Sequence, residues 1–262
     1  MNVLVTLDGA HYLRAAAGHR VPSPYHRRYL LPAVLGPHPR RWVALTAASL
    51  AATPALAWLY FGAVGLTGGA RIFAAALLSS LPAMRFPARF PVLLDAPSFA
   101  GALLVAWASY TLPWWAPLPL ALLLGATRET APVFAALWSW SPLPLLGLLA
   151  VGWWRPCAPV PPGEPWLEHP FRSAWEMRRR LGFDGSLYVR PWGAALFGLG
   201  APSWQMAITV AVAHAQLFAA VDAVRLAVWC APVLCAAAAR AIPPAWWALA
   251  LVVTLVQREE RA

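Results

Sequence analysis

Charged residues are scarce in this chain. They make up 11% of its 262 residues, where a soluble domain carries about 25%. Lysine is absent, asparagine occurs once, and ten carboxylates stand against twenty arginines. With 60% hydrophobic residues and a mean hydropathy of +0.58, the composition does not describe an ordinary soluble domain, whose core is too small to hide so much apolar surface. Cysteine is also scarce. Cys157, Cys230 and Cys235 have no metal-binding spacing, and the last two point to different faces of a helix, so they read as small buried hydrophobes. There is no phosphate loop, dinucleotide fingerprint, HExxH pair or nucleophile elbow. No basic–aromatic nucleic-acid module is present, and no nucleic-acid partner is expected. The seven residues before Asp8 are too few for the apolar core of a signal peptide.

What the chain has in quantity is apolar sequence in runs. A spanning helix needs about 20 apolar residues. Residues 42–66 carry no charge, residues 91–112 are interrupted only by Asp95, and residues 132–154 contain Pro142 and Pro144. Residues 204–240 are broken by Asp222, Arg225 and Pro232, and residues 243–257 form a short final run. Shorter pieces lie at 71–82 and 113–126. The Trp pairs 114–115, 153–154 and 246–247 sit at the ends of apolar runs, where interfacial aromatic belts belong. The expected fold is all-α: a polytopic transmembrane bundle of about six to eight segments. Several should be short or broken, since 27 prolines fit irregular helices that line protein or water rather than lipid.

Polarity divides the sequence into four stretches. Residues 1–41 form a polar juxtamembrane segment with six arginines, and 42–154 form a transmembrane region. Residues 155–191 form a basic loop with six more arginines, and 192–262 a second transmembrane region. Within the loop, Phe171, Ala174, Trp175, Met177 and Leu181 follow a helical face beside Arg172, Glu176 and Arg178–Arg180. This pattern fits either an amphipathic helix on the headgroups or a solvated connection. With a net charge of +10, the expected partners are the bilayer itself and anionic lipid headgroups or other phosphates.

Four acids lie beside or inside apolar runs: Asp8, Asp95, Glu129 and Asp222. An Asp at a membrane helix centre costs about 2.5–3.5 kcal/mol on insertion scales, so such residues are expected to be paired or used. Asp95 suits either a helix start, through its Asp-x-Pro spacing, or a polar site. Arg128 and Glu129 are neighbours that cannot satisfy each other on a helix. Each needs another partner, or the pair forms a polar turn between half-helices. Asp222 and Arg225 are three apart and can pair on one face, which His214 shares. Asp8 precedes a basin of His11, Tyr12, Arg14, His19, Arg20, Tyr25, His26, Arg27 and Arg28. An acid beside several cations can act as a general base next to a phosphate leaving group, or the basin can simply bind anionic lipid.

The segment DGAHYL, with VPSPYHRRYLLP behind it, resembles the first extracytoplasmic loop of GT-C-type membrane glycosyltransferases. LLDAPSF, GATRETAP and VDAVRLAVWCAPVL are similar to later elements of the same superfamily, so the resemblance runs from residue 8 to about 235. It implies an enzyme in a bacterial plasma membrane that transfers a sugar from a polyprenyl-phosphate donor. Asp8 would be the base on the acceptor, and Arg128 and Arg225 would hold the lipid phosphate, with Arg27 and Arg28 as further candidates. Asp95 and Glu129 would orient these groups, and Asp222 belongs to the same phosphate-binding set. The reaction needs no nucleotide-binding domain, and a divalent metal is compatible. The family places a transmembrane helix ahead of the loop, while only MNVLVTL precedes Asp8, so an N-terminally truncated member is expected. The composition also fits a transporter or flippase, with broken helices and mid-membrane charges, or a structural multi-pass protein.

Overall fold

Proline sets where the helices begin. Its locked φ suits the first turn, where its missing N–H would have no partner. In the computed structural model, which describes residues 6–162, 164, 167, 169–181, 190–200, 202–216 and 228–256, helix after helix starts on or just before a proline. The helices are α1 (Leu7–Ala16), α2 (Leu30–Leu35), α3 (Pro39–Ala63), α4 (Gly68–Ser80), α5 (Pro82–Arg89), α6 (Asp95–Thr111), α7 (Pro117–Thr127), α8 (Ala131–Ser139), α9 (Pro170–Leu181), α10 (Trp204–Ala215), α11 (Ala231–Ala241) and α12 (Trp247–Val256). Pro39, Pro82, Pro117 and Pro170 open their helices, and Pro132 and Pro232 are second residues. Short 3₁₀ turns cover Tyr25–Arg27, Leu143–Ala150, Arg190–Gly200, Val228–Cys230 and Pro244–Trp246. The chain is all-α: among the described residues there is no strand.

Among those residues, α3 alone is long and apolar enough to cross a membrane. The pair Val228–Ala241 and Pro244–Val256 passes the same test only together, bent by 119°. The run 132–154 is not one helix. It breaks at Trp140, a non-glycine residue in the left-handed region (φ 52°, ψ 35°), and resumes as the 3₁₀ stretch Leu143–Ala150. The expected helix in the basic loop is α9, whose Arg172 pairs with Glu176 one turn on, at 2.8 Å.

The chain forms two compact units that cut across the four linear stretches. The first is Met1–Thr53 with Pro87–Glu168, and the second is Pro54–Phe86 with His169–Ala262. The first unit has its core where α6 packs on α8, with Phe99 edge-on to Trp138 at 5.4 Å between centroids. Against this, α7 and the stretch Leu143–Ala150 meet backbone to backbone. A Cβ on Gly125 would lie 1.8 Å from the Gly147 carbonyl oxygen, and one on Gly147 would lie 2.2 Å from that of Ala121. Glycine at both places is what allows the approach.

In the second unit the same device recurs. A Cβ on Gly198 would lie 2.5 Å from the Leu234 carbonyl oxygen, so Arg190–Gly200 lies flat on the alanine-rich α11. Phe73 of α4 stacks on Trp247 at 5.1 Å. Cys230 and Cys235 are buried here as free thiols, and Cys157 of the first unit is exposed.

Candidate functional site

The site is built from four segments of the first unit. Helix α1 is started by Thr6, whose side chain accepts from the Gly9 N–H at 3.1 Å. With the helix so fixed, Asp8, His11 and Tyr12 lie three and four residues apart and share a face. The 3₁₀ turn Tyr25–Arg27 brings in Tyr25 and the following Arg28. The break between α7 and α8 supplies Arg128 and Glu129, and the first turn of α6 supplies Asp95.

The contacts form two connected groups. The Tyr25 hydroxyl donates to Asp8 Oδ1 at 2.5 Å, and the Tyr25 ring stacks on His11 at 4.5 Å. His11 Nε2 pairs with Glu164 Oε2 at 2.8 Å. Tyr12 meets Tyr25 edge-on at 5.3 Å and accepts from Arg28 at 2.7 Å. Arg28 in turn grips Glu129 with two parallel bonds, Nε to Oε2 at 2.8 Å and Nη2 to Oε1 at 2.6 Å. This fork-on-carboxylate geometry is the strongest form of the pair. Beside it, Arg128 donates to Asp95 through Nη1 and to Thr130 through Nε at 3.2 Å. Both Arg128 and Asp95 are buried, while Asp8 is half-buried and so within reach of a second molecule.

The electrostatics follow from this geometry. Burial by itself would raise the Glu129 carboxyl, but the Arg28 guanidinium more than offsets it and holds the group down to about 2. Burial would also discharge Arg28, and the Glu129 charge instead raises its pKa. The Tyr25 hydroxyl is raised by burial and then by the Asp8 charge, so it stays protonated and remains a donor. Tyr12 is raised mainly by burial. Arg28 pulls the other way, and the charges of Asp8 and Arg128 also act on the same hydroxyl.

Of the residues singled out in the sequence, Asp8, Arg28, Asp95, Arg128 and Glu129 therefore gather in one unit. Glu129 grips Arg28, and Arg128 bonds Asp95; the break between α7 and α8 gives the neighbouring side chains these different contacts. Arg27 stands to one side, its guanidinium over the Trp153 ring at 4.4 Å. Asp222 and Arg225 lie outside the described residues. His214, expected on their face, bonds through Nδ1 to the Val210 carbonyl at 2.8 Å in the second unit. Glu164 was not separable by sequence from the other loop acids, because its partner His11 is 153 residues away.

Among the described residues no three His, Cys, Asp or Glu side chains form a set able to hold a metal ion. No family model, curated protein or solved structure matches this chain.

Proposed function

We propose that this chain is a multi-pass membrane protein of GT-C type that transfers a sugar from a polyprenyl-phosphate donor, with Asp8 as the catalytic base. One observation carries the reading: Asp8, Arg28, Asp95, Arg128 and Glu129 come from four separate segments and gather within one unit. In a chain with so few charges, five of them gathered from separate segments mark a polar site rather than scattered surface charge.

In the reaction, Asp8 takes the proton of an acceptor hydroxyl as its oxygen bonds to the anomeric carbon of the sugar. The bond from that carbon to the phosphate oxygen breaks, and the lipid phosphate leaves with the electron pair. Tyr25 fixes the Asp8 carboxylate through its hydrogen bond. Arg28 spends three of its five N–H donors on Glu129 and Tyr12, and its remaining donors can face a phosphate oxygen. Arg128, held by Asp95, adds a second fixed positive charge.

The membrane part of the reading is supported by apolar surface that water would not favour. On α12, Leu249, Val252, Val253, Leu255 and Val256 are all exposed, as are Trp114, Trp115, Trp153 and Trp154. Only 28% of the most apolar stretch of α3 is buried. Lipid is the solvent that suits such surfaces.

The test compares membranes carrying wild type or Asp8→Asn at matched expression, supplied with radiolabelled polyprenyl-phosphate sugar. Transfer by wild type and its loss in the variant is the expected result. Equal transfer by both removes Asp8 as the base. A purely structural role for the network is favoured by the fact that Arg28 and Arg128 already have carboxylate partners, and it predicts no transfer by either protein.

A further inference from the structure

Arg27 and Arg155 differ from the other arginines around the site. Arg28 and Arg128 are each matched to a carboxylate, whereas among the described residues neither Arg27 nor Arg155 has one. Their guanidinium groups rest on aromatic faces instead. Arg27 lies over Trp153 at 4.4 Å, and Arg155 lies 5.0 Å from the centre of Tyr29 and 5.9 Å from that of Trp154. The Arg27 Nε is buried with no hydrogen-bond partner. The two residues are held side by side: Gly152 N–H donates to the Arg27 carbonyl at 3.2 Å, and Arg155 N–H donates to the Gly152 carbonyl at 3.1 Å. A Cβ at Gly152 would touch both, lying 3.0 Å from Arg155 Cδ and 3.1 Å from the Arg27 carbonyl oxygen. Trp153 and Trp154 are 54% and 74% exposed, so indole surface flanks the two cations.

We infer that Arg27, Arg155, Trp153 and Trp154 form a binding site for the headgroup of an anionic glycerophospholipid, distinct from the Asp8 cluster. The phosphodiester would lie between the two guanidinium groups, and the acyl chains would run along the exposed indoles. Paired tryptophans at the end of an apolar stretch belong at headgroup depth. Two uncompensated cations at that depth attract an anionic leaflet. Both charges are felt at one place. The neighbouring His26 is lowered by its own burial first, then by Arg27, and further by Arg155, with Glu129 opposing. It is therefore neutral at pH 7 and adds no third charge. The site rests on the membrane reading and not on sugar transfer, so a chain inactive in transfer can still carry it.

The test is native mass spectrometry of the purified full chain from uncharged micelles, titrated with phosphatidylglycerol or phosphatidylcholine. Wild type should retain phosphatidylglycerol in preference. Arg27→Gln with Arg155→Gln should lose that preference by roughly 30-fold, the effect of about 1 kcal/mol for each basic residue. The charge-matched control Arg14→Gln with Arg20→Gln, two exposed arginines elsewhere, should keep it. Equal losses in both pairs, or equal retention of the two lipids by wild type, overturn the site. Displacement of phosphatidylglycerol by equimolar inorganic phosphate, or by polyprenyl phosphate, also overturns it, by reassigning the cations to free phosphate or to the donor. Should the double variant not fold, a photoactivatable phosphatidylglycerol on wild type decides the matter. Labelling within 152–157 supports the site, and labelling only elsewhere removes it.

Discussion

Replacing Glu129 with glutamine tests whether the Arg28–Glu129 pair holds the first unit together as its geometry implies. The carboxylate is held by two bonds of 2.8 and 2.6 Å, and the two side chains keep only 11% and 17% of their surface exposed. The usual value of the Glu129 carboxyl is 4.5, and it is held down to about 2. At ~1.4 kcal/mol per tenfold change in proton affinity, this corresponds to about 3 kcal/mol of stability. Removing one member of a buried ion pair costs ~3–5 kcal/mol by an independent route, so the two figures agree in size. The sign is set by the depressed folded-state pKa. The contribution is complete above about pH 5 and fades as pH falls towards 2, because the unfolded chain binds the proton first.

Equilibrium unfolding in mixed micelles should therefore show Glu129→Gln about 3 kcal/mol less stable than wild type at pH 7. The gap between the two proteins should close as pH falls from 5 to 2, because protonated wild type resembles the variant. Other acids titrate in the same window, but they do so in both proteins and cancel in the difference. A gap below ~1 kcal/mol at pH 7, the value of an exposed pair, would show that the pair does not hold the first unit together. So would a gap that does not change with pH.

Three further outcomes are expected. Tyr25→Phe removes the donor to Asp8 and keeps the stack on His11, so transfer should fall roughly tenfold in kcat, the value of one hydrogen bond near 1.4 kcal/mol, with KM little changed; a change confined to KM would remove Tyr25 as a positioning residue. Gly125→Val and Gly147→Val drive a side chain into a backbone carbonyl, and each should destabilise the chain by at least ~2 kcal/mol, measured by unfolding in micelles; wild-type stability in either would contradict the close contact of α7 with Leu143–Ala150. Glu164→Gln should leave the fold intact but reduce transfer less than Tyr25→Phe does, because it acts on Asp8 only through His11 and Tyr25; a loss as complete as that of Asp8→Asn would place Glu164 in the chemistry.

The helices were legible because apolar runs and prolines are local signals. The run 42–66 became α3, and the short runs 71–82 and 113–126 became α4 and α7. The break inside 132–154 was half legible. Pro142 and Pro144 announced an interruption, but nothing in the sequence says that Trp140 would take a left-handed conformation. Arg128 and Glu129 needed different partners by helix geometry alone, yet the partner of Glu129 could not be read. Arg28 lies 101 residues earlier, one of several arginines in the basin that local pattern does not rank. Arg27 and Arg28 are neighbours of the same type, and only packing separates them, placing one on Glu129 and the other on Trp153.

Asp8 accepts from a tyrosine hydroxyl, while Asp95 and Glu129 accept from arginines. Those two bond arginine cations, contacts whose removal would leave a buried charge exposed to a low dielectric. Asp8 takes the neutral hydroxyl of Tyr25, which is fixed by its stack on His11, which is fixed in turn by Glu164. A hydroxyl donor to a carboxylate contributes only ~1–3 kcal/mol, and the hydroxyl of an acceptor sugar is a donor of the same kind. A carboxylate that is half-buried and orientated from behind by a hydroxyl keeps part of its surface open to a second hydroxyl donor. Asp95 is buried on Arg128, and each Glu129 oxygen already bonds Arg28. In the proposed reaction the three acids divide the work along these contacts: Asp95 and Glu129 hold arginines, and Asp8, orientated by Tyr25, takes the proton.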